Sequence, residues 1–150
     1  MKTGWLPGLM LYRYSELNLN GAARMSFTLA TWNINSVRLR EPIVLQLLRE
    51  EAPDVLCLQE CKSPVELIPT AGFADLGYPH MVARGQKGYN GVAILSKIPL
   101  EDAGSLDLAQ LGHARHVAAR LPNGVTIHNH YVPAGGDVPD REQNEKFGQK

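Results

Sequence analysis

Residues 28–38, T-L-A-T-W-N-I-N-S-V-R, and residues 53–62, P-D-V-L-C-L-Q-E-C-K, decide how this chain folds. The first is an apolar run that ends in the polar pair Asn33 and Asn35, and the second ends in the carboxylate Glu60. Short apolar runs bounded by polar and proline residues read as buried strands. Between them Ile43, Leu47, Leu48 and Ala52 recur at helical spacing, with Arg49, Glu50 and Glu51 on the wet side. Ser36 reads as the cap of that helix, Pro42 as a first-turn residue and Pro53-Asp54 as its stop. Strand, helix and strand predict a right-handed, parallel β-α-β unit. Both strand ends then reach one rim, the edge at which open α/β sheets bind ligands. Asn33 and Glu60 are either half of a metal site or two strand ends. A carboxylate at the end of a buried strand is expensive unless paired or coordinated. Oxygen donors of this kind suit Mg²⁺, which takes one or two carboxylates together with water and phosphate. In the plainer reading Glu60 caps a loop and Asn33 closes an Asx turn.

The composition bounds these readings. A chain of 150 residues, 44% hydrophobic and 20% charged, is one ordinary domain with enough apolar residues for a core. Fifteen basic residues balance fifteen acidic ones, so net charge argues neither for nor against nucleic acid; a local basic patch decides that. No apolar run approaches the roughly 20 residues that span a bilayer, so no membrane partner is expected. Cys57 and Cys61 have no further Cys or nearby His to complete a zinc set, and Cys57 in mid-strand is poorly placed for a disulfide. That usage fits a reducing cytoplasm. Residues 1–25 differ from the rest of the chain: Lys2 precedes a short apolar patch broken by Pro7-Gly8, and an internal Met25 ends the stretch. They read as a disordered or loosely packed extension, or as the product of a start codon set too early. The compact pattern occupies residues 26–150.

Downstream, Ser63-Pro64 opens a helical turn through Ile68, and residues 69–77 read as irregular. Strands at 78–84 and 92–96 flank the loop Gly85-Gln86-Lys87-Gly88-Tyr89-Asn90-Gly91 and form a hairpin. The loop lacks the G-x-G-x-x-G spacing and leads into a strand, so it is no dinucleotide fingerprint. It is either a plain turn or a turn that presents Lys87 to substrate. A second hairpin joins 116–121 to 125–132 through Pro122-Asn123-Gly124. In it His128 and His130 share one face and read as surface or packing histidines for want of a third ligand; Asn129 and Tyr131 face the other way. The Tyr131 hydroxyl either holds a phosphate oxygen or lies in the core. Arg38, Arg40, Lys62, Lys87 and Arg115 follow strand ends or turns, as scattered solvated charges or as one phosphate-binding rim. Asp140 is placed to cap a helix from Arg141, and that helix is still running at Lys150, so the domain is expected to be truncated.

Taken together, T-W-N-I-N-S-V-R (31–38), D-V-L-C-L-Q-E-C-K (54–62), G-Q-K-G-Y-N-G-V-A-I-L-S-K (85–97), Ala114-Arg115-His116 and N-H-Y-V-P-A-G-G (129–136) resemble the exonuclease III family of AP endonucleases, within the endonuclease/exonuclease/phosphatase superfamily. The L-Q-E element is common to the superfamily, while the Q-K-G and Y-x-P segments point to its DNA-repair branch. The resemblance implies an α/β fold, a four-layer α/β sandwich of two mixed sheets with helices outside. It implies Mg²⁺-dependent hydrolysis (Mn²⁺ as a substitute) of duplex DNA at abasic sites and 3′ ends, by a monomer. By motif, Glu60 resembles the metal ligand and Asn33 its neighbour or co-ligand. Tyr131 resembles the catalytic tyrosine, and Asn33 a catalytic residue as well as a metal neighbour. Asn35, Arg38, Lys62, Lys87, Tyr89, Asn90 and Arg115 resemble DNA contacts. The pattern also departs from the family. A later G-D-x-N and a terminal S-D-H are absent, and Gly136-Asp137 is followed by Val138-Pro139. The water-activating aspartate and the catalytic histidine are therefore missing, and the 150 residues alone are expected to be inactive. A phosphatase or phospholipid diesterase of the superfamily, or a non-catalytic binding module, are the competing functions.

Overall fold

The structure, a computed structural model, describes residues 7–15, 26–108 and 110–149. Strands β1 (Met10–Ser15), β2 (Ser26–Asn33), β3 (Val55–Gln59), β4 (His80–Arg84) and β5 (Val92–Ser96) form one sheet in the order β1-β2-β3-β5-β4. Strands β6 (Glu101–Asp102), β7 (His116–Arg120) and β8 (Thr126–His130) form a second. Helices α1 (Glu41–Glu50), α2 (Thr70–Asp75) and α3 (Glu145–Gln149) complete the elements with a single 3-10 turn at Val65–Leu67. No helix among the described residues is long and apolar enough to cross a membrane.

The β2-α1-β3 unit forms as its sequence predicts. Leu29 lies opposite Val55 and Asn33 opposite Gln59, in parallel register. The register is locked at its start, where the Thr28 N–H and hydroxyl donate to Asp54 Oδ2 at 2.7 and 2.9 Å. The Asp54 N–H donates back to Thr28 Oγ1 at 3.0 Å. Strand β5 pairs antiparallel with both β3 and β4, so the first sheet is mixed. The second, expected to be mixed, is antiparallel throughout its described strands.

Period-2 alternation divides the core in two. Ala30, Trp32, Leu56, Leu58, Ala93 and Leu95 point outward beneath Val44, Leu47 and Leu48 of α1 and Phe73 of α2. Phe27, Val55, Cys57, Val92 and Ile94 point the other way, against Val117, Ala119, Leu121 and Ile127 of the second sheet. Burial pushes both free thiols, Cys57 and Cys61, up to about 12, so neither is a nucleophile near neutral pH.

Several local expectations are corrected. Met10–Ser15, within the stretch read as an extension, is an edge strand paired antiparallel to β2, and the Pro7 carbonyl accepts from Trp32 Nε1 at 3.2 Å. The reading of Met25 as the start falls outside the described residues. Ser36 does not cap α1: the chain is left-handed at Asn35 and Ser36 (φ 47° and 87°), and Arg40 occupies the N-cap without a side-chain bond. Pro42 does lie in the first turn. The helix buries Val44 with Leu47 and Leu48, while Ile43 and Ala52 are exposed. The supposedly irregular 69–77 segment contains α2, anchored by fully buried Phe73. Asp140 Oδ1 accepts from the N–H groups of Glu142 and Gln143 and so caps a turn; α3 starts later, at Glu145.

Candidate active site at the strand rim

Past Gln59 the backbone of β3 leaves the extended region. Glu60 and Lys62 adopt φ 53° and 50°, a left-handed conformation uncommon outside glycine. The kink survives because its amides are held. Ser36 and Val37 donate to the carbonyls of Glu60 and Cys61 at 2.7 and 3.1 Å, and Cys61 and Lys62 donate to those of Gly91 and Asn90 at 3.0 and 2.9 Å. Gly91 is required here. Its φ is +86°, and a Cβ would lie 3.3 Å from Cys61 Cβ and from the Lys62 nitrogen. Five of the seven left-handed non-glycine residues described, Asn35, Ser36, Glu60, Lys62 and Asn90, belong to this rim. Strained residues cluster at active sites and ligand clamps, which makes this rim the candidate site.

The kink turns Glu60 into a cluster of donors. Asn33 Nδ2 donates to Glu60 Oε1 at 2.8 Å, and Lys62 Nζ lies 3.2 Å from Glu60 Oε2. Lys62 Nζ also donates to Asn35 Oδ1 at 2.5 Å, and the Arg40 guanidinium reaches the Asn35 carbonyl. Burial works to raise the Glu60 carboxyl, but hydrogen bonds from Asn33, Tyr131 and Lys62, with the Lys62 charge, hold it below the usual range. The Tyr131 hydroxyl is raised, by burial first and then by its bond to the Glu60 carboxylate, with Arg115 opposing. It therefore stays protonated and donates.

Strand β8 brings Tyr131 to that position. Arg115 stacks over the Tyr131 ring at 4.8 Å from its centroid, and the Tyr131 N–H donates to the Arg115 carbonyl at 2.7 Å. Arg115 Nη1 is buried and has no hydrogen-bond partner. Beneath the rim lies an amide tie that sequence reading missed. Gln59 Nε2 donates to Asn129 Oδ1 at 2.7 Å and to Thr31 Oγ1 at 2.9 Å. Asn129 Nδ2 donates to the carbonyls of Leu58 and Ala93, both at 2.9 Å. Asn129 is two residues from Tyr131 and Gln59 adjoins Glu60, so the tie joins the sheets next to both candidate side chains. Its only signal in the sequence is a polar residue at an inward position of each strand.

Asn35, Arg38, Arg40, Lys62 and Gly88 line an open groove of about 700 Å³ along the same rim. Lys87 and Tyr89 are exposed on the adjoining 85–91 loop. Asn90 is buried, and its amide donates to Gln86 Oε1 at 2.9 Å, which also accepts the Ala114 N–H at 3.1 Å. Asn33, Asn35, Glu60, Lys62, Tyr131 and Arg115 are thus brought together, Arg38 joins them through the groove, and Asn90 is committed inside its loop. The Glu60 carboxylate and the Asn33 amide oxygen are hard donors that fit Mg²⁺ or Mn²⁺, supplying part of a six-coordinate shell and leaving the rest to water and phosphate. Lys62 supplies the positive charge at Glu60, 3.2 Å from Oε2.

On the opposite face of β8, His128 and His130 are joined by His116 of β7, which the sequence reading did not connect with them. All three offer ring nitrogens within 4.8 Å of one another. The three-residue Pro122-Asn123-Gly124 loop was the available signal, because pairing outward from Leu121 and Val125 sets His116 opposite His130.

Known proteins resemble this chain in sequence and fold. The sequence pattern of the Endonuclease/Exonuclease/phosphatase family matches residues 30–147. The chain belongs to that family. Exodeoxyribonuclease III of Haemophilus influenzae is 40% identical over 67 residues, 45% of this chain and 25% of that protein. An AP endonuclease from Archaeoglobus fulgidus superimposes with a TM-score of 0.67 at 39% identity, over 76% of this chain and 44% of the other. The 3′ phosphatase NExo from Neisseria, bound to a product DNA hairpin, superimposes with a TM-score of 0.67 at 37% identity, over 79% and 47%. The chain thus spans less than half the length of these relatives. By name these relatives are an exodeoxyribonuclease III, an AP endonuclease and a 3′ phosphatase, and the exonuclease III and AP endonuclease branch is the one the chain resembles.

Proposed function

We propose that the protein carrying this chain is a Mg²⁺-dependent DNA-repair nuclease of exonuclease III type. It cleaves duplex DNA at abasic sites and removes nucleotides from 3′ ends, as a cytoplasmic monomer, with Mn²⁺ able to replace Mg²⁺. Glu60 and Asn33 would hold the ion. When bound, the ion stabilises the negative charge that phosphodiester hydrolysis builds on the phosphate oxygens.

The chain's own residues supply the rest of this half of the site. The Tyr131 hydroxyl, kept protonated, donates to a non-bridging phosphate oxygen. Arg115 offers its buried, unpartnered Nη1 to the same group. Lys62, beside Glu60, is a further donor. Donors fixed before the charge develops need no reorganisation when it does. Arg38, Arg40 and Lys62 along the groove, with Lys87 and Tyr89 on the loop beside it, track the DNA backbone, which sets register without reading bases. Such contacts make affinity strongly salt-dependent. An abasic sugar is cheap to expose because no base has to be unstacked.

The observation that carries this reading is the ionised Glu60 carboxylate, ringed by Asn33, Lys62 and Tyr131 and opening onto a basic groove. The test compares Mg²⁺-dependent cleavage of an abasic duplex and of a phosphoinositide by the protein as its gene encodes it. Cleavage of the duplex alone is expected. Preference for the phosphoinositide overturns the DNA reading in favour of a lipid phosphatase. The 150-residue chain by itself, which lacks G-D-x-N and S-D-H segments, should leave both substrates intact.

A further inference from the structure

The histidines on the outer face of the second sheet lie apart from the Glu60 centre, and nothing in the nuclease reading uses them. Side chains two apart on a strand share a face, so His128 and His130 project together. The β7–β8 register sets His116 directly opposite His130 and Ala118 opposite His128. The rings of His116 and His130 are 4.2 Å apart between centroids, and those of His116 and His128 are 5.3 Å apart. His116 Nε2 lies 3.1 Å from His128 Nδ1. Two imidazole nitrogens bound at about 2.0–2.1 Å to a tetrahedral ion lie roughly 3.3 Å apart, close to that spacing. Three imidazoles without a carboxylate suit Zn²⁺, Cu²⁺, Ni²⁺ or Co²⁺ and not Mg²⁺ or Ca²⁺. His128 and His130 are exposed, which gives an ion access and leaves a coordination position for water.

One hydrogen bond opposes this use. The Leu106 N–H donates to His116 Nδ1 at 2.8 Å, so that nitrogen carries the lone pair and Nε2 carries the proton, aimed at His128 Nδ1. A ligating His116 needs the reverse tautomer, which would set two N–H groups face to face at Leu106. The ion and the Leu106 amide therefore compete for His116. Three coordinate bonds stand against one hydrogen bond from an exposed loop.

We propose that His116, His128 and His130 form a site for a borderline divalent transition-metal ion, with water completing its shell, and that filling the site releases the Leu106 amide. The site is separate from the Mg²⁺ centre and is tested without reference to nuclease activity. Untagged, metal-free protein, intact as the gene encodes it, is titrated with Co²⁺. The expected result is one equivalent that gives the intense visible absorption of a four-coordinate ion, bleached when Zn²⁺ replaces it; Co²⁺ on the oxygen donors at Glu60 is six-coordinate and only weakly coloured. His130→Phe changes an exposed residue and spares the buried His116; it should weaken Co²⁺ at least about a hundredfold, since losing a direct ligand exceeds the known cost of losing a ligand's hydrogen-bond partner. Glu60→Gln should leave the titration of that intense band unchanged. Zn²⁺ should also speed amide exchange at Leu106. Absence of the visible band, or retention of it with unaltered affinity in folded His130→Phe protein, overturns the site. Unchanged Leu106 exchange in the Zn²⁺-loaded protein overturns the competition.

Discussion

Strand β8 serves two environments with alternate residues. Asn129 and Tyr131 point between the sheets, where Asn129 is fully hydrogen-bonded to Gln59, Leu58 and Ala93 and Tyr131 meets Glu60. His128 and His130 point outward, exposed, and their rings meet His116 of β7 and each other. The inner side is organised by bonds between distant parts of the chain, such as the contact between Asn129 and Leu58. The outer side is organised by the register of one hairpin. Chemistry that must be held rigidly belongs on the inner side, and the strained rim residues Glu60 and Lys62 are found there.

That contrast gives graded expectations. Tyr131→Phe removes one preorganised donor and keeps the ring against Arg115. In the intact nuclease it should lower kcat by about a hundredfold to a thousandfold, read by single-turnover cleavage of an abasic duplex. A drop below tenfold would mean that the inner face of β8 is only packing. Asn129→Leu strips a donor from two carbonyls and a partner from Gln59. The expected loss, measured by urea unfolding, is on the order of 3 kcal/mol, since each buried group left unsatisfied costs about 1–3 kcal/mol. An equal loss from His128→Leu would erase the difference between the two faces. The sheets are also tied at their periphery, where Arg84 of β4 meets Asp102 of β6 at 2.9 Å, largely in water. Asp102→Asn should cost no more than about 0.5 kcal/mol, as exposed ion pairs do. The Arg84 hydrogen bond holds the Asp102 carboxyl below its usual value, so this small contribution is present above the unfolded value of about 3.9 and fades as pH falls below it. Urea titrations of both proteins between pH 3 and 6 read the difference.

The fold was legible wherever period and turn chemistry agreed. The β2-α1-β3 unit and both hairpins follow from apolar runs, helical spacing and the Asn-Gly turn. Helix α2 was hidden because T-A-G-F-A-D is six residues long, contains Gly72 and rests on Phe73 alone. Strand β1 was hidden because an edge strand leaves Met10, Leu11 and Tyr12 exposed, so no alternating pattern marks it. Ser36 looks like a cap until the backbone turns left-handed beneath it. At the site, Glu60 was legible as a carboxylate ending a buried run. Its orientation was not, because the kink depends on Gly91 and on backbone hydrogen bonds to two other segments, 36–37 and 90–91. The Gln59–Asn129 tie was equally hidden: it links residues 70 apart in sequence, and only the packing of one sheet on the other brings them together.

The central claim is that Glu60 holds the divalent ion that drives phosphodiester cleavage. Its most direct test is Mg²⁺-dependent cleavage of an abasic duplex by Glu60→Ala in the intact protein, with folding verified by circular dichroism. The account predicts that turnover is abolished at every Mg²⁺ concentration. Turnover equal to that of the unaltered protein would contradict it.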